Sequence, residues 1–213
     1  MVENDDSLAL AADILLDGGV VCIPTDTVYA LATLAKDSIA ISKVFRIKER
    51  DETLALPVLI GSFDQITQFT DNVTYLEKAL ASAFWPGALT IVVEKSDSVP
   101  GNLTGSLNTV GCRVPNHKTP LKLAQVIKTG ITGTSANKSG FPSAVNIKEV
   151  LEQFKDSEID LIIDGGNSKS NIPSTVIQCI NSKINILREG IISKEDILTA
   201  IPKHQRFKVE FNE

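Results

Sequence analysis

Two hydrophobic periods alternate along the chain: short, continuous apolar runs, and longer segments in which apolar residues recur every third or fourth position. The first helical segment puts Leu8, Ala11, Ile14 and Leu15 on one face, with Ser7 as its predicted cap and Gly18–Gly19 as its stop. VVCIP follows as a buried strand. Asp37 and Ser38 open a second helix with Ala40, Val44 and Ile47 on one face, PVLIG reads as a strand, and SFDQ has capping-box spacing that starts a helix near Ser62. A further helix is expected from about Val73 to Phe84, halted by Trp85-Pro86-Gly87. ALTIVVE, TVGCRVP, LIIDG, STVIQCI and INILRE are strand candidates, with helices near 121–127, 148–154 and 195–200. The apolar-leaning run LAQVIKTGI also reads as a buried strand leading into the polar stretch TGTSANKSGFPS.

Strands alternating with helices imply an α/β domain. The closing runs TVIQCI and INILRE are separated only by NSK, the arrangement of an antiparallel hairpin, so the sheet is expected to mix parallel and antiparallel strands. The chain contains neither GxxxxGK[ST] nor GxGxxG, so neither common nucleotide signature is present. It shows no repeat, low-complexity tract or linker. One domain over residues 1–201 and a loose tail over 202–213 are the expected organisation.

A chain of 213 residues, 43% hydrophobic and 22% charged, has the make-up of a globular protein with a real core. No apolar run approaches the roughly 20 residues of a membrane span, and MVENDDSLAL lacks the basic and apolar regions of a signal peptide. A cytoplasmic location without a membrane partner is expected. Cys22, Cys112 and Cys179 are odd in number, far apart and each within an apolar run, which suits reduced core residues. The net charge of −5 excludes a broad basic field for non-specific nucleic-acid binding, so any anionic ligand must meet a local cluster of cations.

Five clusters are candidates for chemistry. PTDTVYALA carries Thr25, Asp26 and Thr27 at a strand end, where open α/β sheets place ligands and where a plain turn with a helix cap would also use them. KVFRIKER puts Arg46, Lys48 and Arg50 at a helix end, either as a solvated charged face or as a clamp in which Lys48 and Arg50 straddle a polyphosphate. In NTVGCRVP, alternation sets Arg113 opposite Cys112 and Val114, which suits either an edge strand in solvent or a cleft wall that binds a carboxylate. TGTSANKSGFPS offers donors at Thr134, Ser135, Asn137, Ser139 and Ser143, and Gly133 permits close backbone approach, more than a turn requires. Finally, Ser174 enters one hairpin strand and Arg188 leaves the other.

PTDTVYALA, KxR, PVLI, WPGALTIV, CRVP, SANKSG, DGG, STV and LREG occur in that order. The combination resembles the YrdC family of threonylcarbamoyl-AMP synthases in its single-domain form, over roughly Leu8 to Ile201. The resemblance implies a twisted mixed sheet with flanking helices around a deep, positively lined cavity. It implies synthesis of threonylcarbamoyl-AMP from L-threonine, bicarbonate and ATP, with Mg²⁺ on the phosphates and pyrophosphate released. A separate transferase complex would then modify the adenosine beside the anticodon, making contact with tRNA indirect. The family pattern assigns Lys48 and Arg50 to catalysis and ATP, with Thr109, Ser135, Asn137, Ser143 and Arg188 also on ATP. Thr27, Arg113, Gly133 and Ser174 would hold threonine.

The chain departs from the family pattern at Ala30, expected to add a methyl at the cavity mouth, at Asp51, at Leu54-Ala55 and at Pro173. Leu54 is expected to lack a nucleotide contact made in some relatives. His117 and His204 are expected at the surface. A rival reading is a fold relative that binds nucleotide or RNA without making the adenylate. The intact KxR, SAN and STV positions oppose it, and the 5% aromatic content opposes an RNA-stacking module. A hydrogenase-maturation enzyme shares the domain but carries further ones.

Overall fold

The computed structural model describes residues 1–180 and 183–201 and the backbone of 210–211. Its strands are β1 (Val21–Ile23), β2 (Ala30–Ala32), β3 (Val58–Leu59), β4 (Leu89–Glu94), β5 (Thr109–Arg113), β6 (Ile131–Thr132), β7 (Thr134–Ser135), β8 (Leu161–Ile162), β9 (Thr175–Ile180), β10 (Lys183–Arg188) and β11 (Glu210–Phe211). Its helices are α1 (Asp5–Leu16), α2 (Ser38–Lys48), α3 (Tyr75–Phe84), α4 (Lys118–Ile127), α5 (Ile147–Phe154) and α6 (Lys194–Ala200).

The strands divide between two mixed sheets. One runs β7-β2-β1-β8 and the other β11-β10-β9-β4-β5-β3-β6. The expected hairpin is present as the antiparallel pair β9–β10, with Ile180 opposite Lys183. Part of its NSK turn lies outside the described residues, as does the tail over 202–213 apart from the short β11, which pairs with β10.

β1 shows why VVCIP reads as an unbroken apolar run. Cys22 faces the larger core together with Phe45, Val58 and Ile91, while Val21 and Ile23 face a smaller core with Leu8, Leu15 and Leu123. A strand buried on both faces has no polar side to show. β4 and β5 behave differently. Leu89, Ile91, Val93, Val110 and Cys112 point into the larger core. Thr90, Val92, Thr109, Gly111 and Arg113 occupy the other face, and that face is the floor of a cavity.

Several expectations shift. α1 is capped by Asn4, with Ser7 at its third position returning the bond as in a capping box. Ser62 makes no capping bond because Gln65 reaches past it to the Gly61 N–H, and only a 3-10 turn over Phe63–Gln68 forms. α3 begins at Tyr75, capped by Thr74 and Glu77. LAQVIKTGI is mostly helix: α4 runs to Ile127, Lys128 closes it in the left-handed region, and only Ile131–Thr132 are strand. β2 has no counterpart among the predicted strands. It forms because VYALA pairs with β1 on one side and β7 on the other. Ala30 is therefore 3% exposed within the smaller core, so its methyl does not reach the cavity mouth.

Candidate active site

A cavity of about 240 Å³ opens above the β4–β5 floor. Its walls come from the loop before β2, the chain after α2, the crossing at Gly133–Ser135, and the β9–β10 hairpin. Thr27, Arg50, Thr109, Arg113, Gly133, Ser135, Ser174 and Arg188 all line it. Lys48, Asn137 and Ser143 stand outside the described lining.

Arg113 sits on central strand β5, between β4 and β3, not on an edge. It is 5% exposed. Its Nη2 donates to Asp26 Oδ1 at 2.6 Å, its Nη1 to Thr27 Oγ1 at 3.2 Å and its Nε to the Gly87 carbonyl at 2.8 Å. Burial lowers the guanidinium pKa and the Asp26 carboxylate opposes that shift. Thr27 is held in turn by Thr25, whose hydroxyl lies 3.1 Å away and donates to the Val28 carbonyl. The polar residues of PTDTV thus combine a turn network with the support of one buried cation.

At the hairpin, Arg188 donates from Nη2 to Ser174 O at 2.8 Å and to Ser174 Oγ at 2.9 Å. The Thr90 hydroxyl completes the chain at 3.0 Å from Ser174 Oγ. Arg50 is less tied. Its Nη2 donates to the Ala55 carbonyl at 3.2 Å, and its buried Nε has no partner among the described residues. Burial lowers the pKa of both Arg50 and Arg188, and for Arg188 the charges of Arg113 and Arg50 add to the effect. Like charges gathered around one cavity favour any anion that enters.

Lys48 and Arg50 do not form a parallel clamp. Glu49 between them adopts the left-handed region at φ 51, which ends α2 and turns the chain. Lys48 consequently points inward, 1% exposed. Its ammonium donates to the Ser135 carbonyl, to the Asn137 carbonyl at 2.7 Å and to Asn137 Oδ1 at 3.4 Å. Burial, followed by the Arg50 charge, lowers its pKa to about 7. The surrounding oxygens favour the charged form against that pull. Ser135 Oγ donates to Asn137 Oδ1 at 2.6 Å, and the Asn137 amide donates to the Lys138 and Phe141 carbonyls. Gln153 of α5 holds the same loop, accepting from Lys138 N and donating to the Pro142 carbonyl, both at 3.0 Å. Lys48 and Asn137 therefore shape the loop that presents Ser135.

Gly133 explains how that loop approaches the floor. A Cβ there would lie 2.4 Å from Leu59 Cγ, so any side chain would push the crossing away from β3. Thr90 and the pairing of Asp26 with Arg113 have no counterpart in the sequence analysis. Thr90 was detectable as the polar residue of ALTIVVE whose alternation matches the floor positions, whereas the Asp26–Arg113 pairing joins distant segments and leaves no local trace. His117 is half-buried and caps α4 by accepting from Thr119 N, so it is not a plain surface residue.

The model of the Sua5/YciO/YrdC family, described as telomere recombination, matches residues 13–190. The chain belongs to that family. It is 37% identical over 190 residues to a threonylcarbamoyl-AMP synthase of Pyrococcus abyssi, covering 89% of this chain and 56% of that protein. It is also 37% identical over 201 residues to a threonylcarbamoyl-AMP synthase of Bacillus subtilis, covering 93% and 57%. The chain thus spans slightly more than half the length of both relatives. Among solved structures it is similar to P. abyssi Sua5 complexed with L-threonine, with a TM-score of 0.89 and 35% identity over 96% of this chain and 58% of that one. E. coli YciO shares the fold at a TM-score of 0.79 and 24% identity, over 88% of this chain and 91% of that one. No helix among the described residues is long and apolar enough to cross a membrane.

Proposed function

We propose that this chain makes threonylcarbamoyl-AMP from L-threonine, bicarbonate and ATP, acting as a nucleotidyltransferase in the cytoplasm. One observation carries the reading. Side chains as far apart in sequence as Thr27 and Arg188 line one cavity with guanidinium and hydroxyl groups, the equipment for a carboxylate beside a polyphosphate. The family relatives named for this activity support it.

Threonine's amine and bicarbonate condense to a carbamate with loss of water, which needs no enzymic nucleophile. The carbamate oxygen then bonds to the α-phosphorus of ATP. The bond from that phosphorus to the bridging oxygen breaks, and pyrophosphate leaves with the electron pair. Two anions must be brought together, so the protein's contribution is positioning and charge compensation. Arg113, with Thr27 and Ser174, holds threonine by its carboxylate. Arg50 and Arg188, with Thr109 and Ser135, hold the triphosphate, and Ser143 flanks the loop on the nucleotide side. Lys48 and Asn137 act through that loop.

The described residues contain no group of three or more His, Cys, Asp or Glu that could hold a metal ion, and none of the described lining residues carries a carboxylate. The lining does not fit a protein-held Mg²⁺. That ion would arrive on the phosphates of the incoming nucleotide. A separate transferase would carry the product to tRNA, leaving contact between this chain and tRNA indirect.

The test is mass spectrometry of the products from purified protein with ATP, threonine and bicarbonate, alongside pyrophosphate release. A threonylcarbamoyl-AMP peak that requires all three substrates is expected. Nucleotide or tRNA binding with no pyrophosphate released when all three are present would establish the rival reading.

A further inference from the structure

Gly111 sits at the middle of β5, with Thr109 and Arg113 two residues to either side on the same cavity-lining face. At about 3.4 Å per strand residue, each of those neighbours is roughly 7 Å away. Val92 lies directly opposite on β4. A Cβ at 111 would stand 3.1 Å from Thr90 Cγ2, 3.7 Å from Val92 Cγ2 and 3.9 Å from Pro57 Cβ. All of these are cavity-lining residues, so a side chain there would be ringed at its base and would grow into the cavity. Gly111 is not among the residues with positive φ, so the backbone does not demand glycine. A strand-interior glycine gives up side-chain packing and β propensity, and it characteristically marks a place where a ligand comes close to the backbone.

We propose that the missing side chain at position 111 makes the room in which the two substrates react. The inference rests on the threonylcarbamoyl-AMP reading and deepens it. With threonine's carboxylate on Arg113 and the nucleotide on the Thr109 side, the carbamate carbon, three bonds from the carboxylate carbon, lies over Gly111. Its oxygen must cross that point to reach the α-phosphorus. A methyl at 111 obstructs the crossing while leaving both outer grips in place, so each substrate binds alone and the pair cannot close to bonding distance.

Gly111→Ala, Gly111→Val and the double variant Gly111→Ala/Thr90→Ser test this. Turnover is measured by pyrophosphate release, binding by calorimetry with threonine alone and with ATP alone, and folding by thermal melting. Turnover is expected to fall about tenfold in Gly111→Ala and about 100-fold in Gly111→Val, with each dissociation constant within about threefold of wild type. The double variant removes the nearest crowding methyl and keeps the obstruction, so it should stay as slow as Gly111→Ala. Should the valine variant fail to fold, the alanine pair decides. Gly111→Val turning over at the wild-type rate, recovery in the double variant, or a loss of binding that matches the loss of turnover overturns the proposal. Wild-type protein that makes no product removes the underlying reading and this inference with it, whereas an active wild type beside an active Gly111→Val removes the inference alone.

Discussion

At one end of the cavity Arg113 is buried and bonded through every nitrogen to Asp26, Thr27 and Gly87. At the other, Arg50 keeps a buried Nε without a partner among the described residues, and the described bonds of the Arg188 guanidinium all go to Ser174. The first end is preassembled, its cation supported by its own carboxylate; the second holds positive charge in reserve. A small amino acid can be met by a rigid grip that exists before it arrives. A triphosphate brings several negative charges, and cations already neutralised by the protein would have less to offer it.

Arg50→Ala should show the largest effect. A loss of about 100-fold or more in kcat/KM for ATP is expected, because the proposed charge-compensating donor is removed while little of the fold depends on it. The melting temperature should stay close to wild type. Near-normal turnover in that variant would refute its role. Arg113→Ala should behave in the opposite sense. It strands Asp26 as a buried charge, so stability should fall by about 3 kcal/mol, together with threonine affinity. Denaturant titration reads the first quantity and calorimetry the second; a variant as stable as wild type would dissolve the contrast between the two ends.

Lys48→Met sharpens the comparison through pH. The folded-state pKa near 7 lies below the unfolded value of about 10.4, so between those limits the unfolded chain binds more protons. Wild-type stability relative to Lys48→Met should therefore rise as pH climbs from about 7 towards 10 and stay flat below that window. A difference that stays flat over the same interval would place Lys48 among ordinary solvated lysines. The smallest effect is expected from Gln153→Ala. Two neutral hydrogen bonds to the loop are lost, each contributing about 1 kcal/mol, which should raise KM for ATP by less than about tenfold and leave threonine binding unchanged. Equal loss of both affinities would show that Gln153 supports the whole fold and not the Ser135 loop.

Much of this molecule is readable along the chain because hydrophobic periodicity is a local record of burial. The α2 face, the β9–β10 hairpin and the long strands β4 and β5 follow from it. Strands of two or three residues such as β2 and β7 carry no period of their own and form only where neighbours supply hydrogen bonds. Ala30 shows the consequence, since its place in the smaller core depends on β2 existing at all. In the site, residue types and motif order single out segments that lie far apart in the chain, and the cavity gathers most of the named side chains. The direction of Lys48 was not legible. Helix periodicity gives its position, but its ammonium is held by the Ser135 and Asn137 carbonyls while Arg50 lines the cavity.

The sequence by itself determined the α/β class, the family, and which segments bear cations and hydroxyls, because each is written in local composition, period and motif order. Tertiary structure decided which cation acts through the scaffold, as Lys48 does, which is braced before a ligand arrives, as Arg113 is, and which is left unbraced, as Arg50 is. That division depends on partners distant in the chain, Asp26 for Arg113 and the Ser135–Asn137 carbonyls for Lys48. Charge is a property of a residue, but its availability depends on what the fold packs against it.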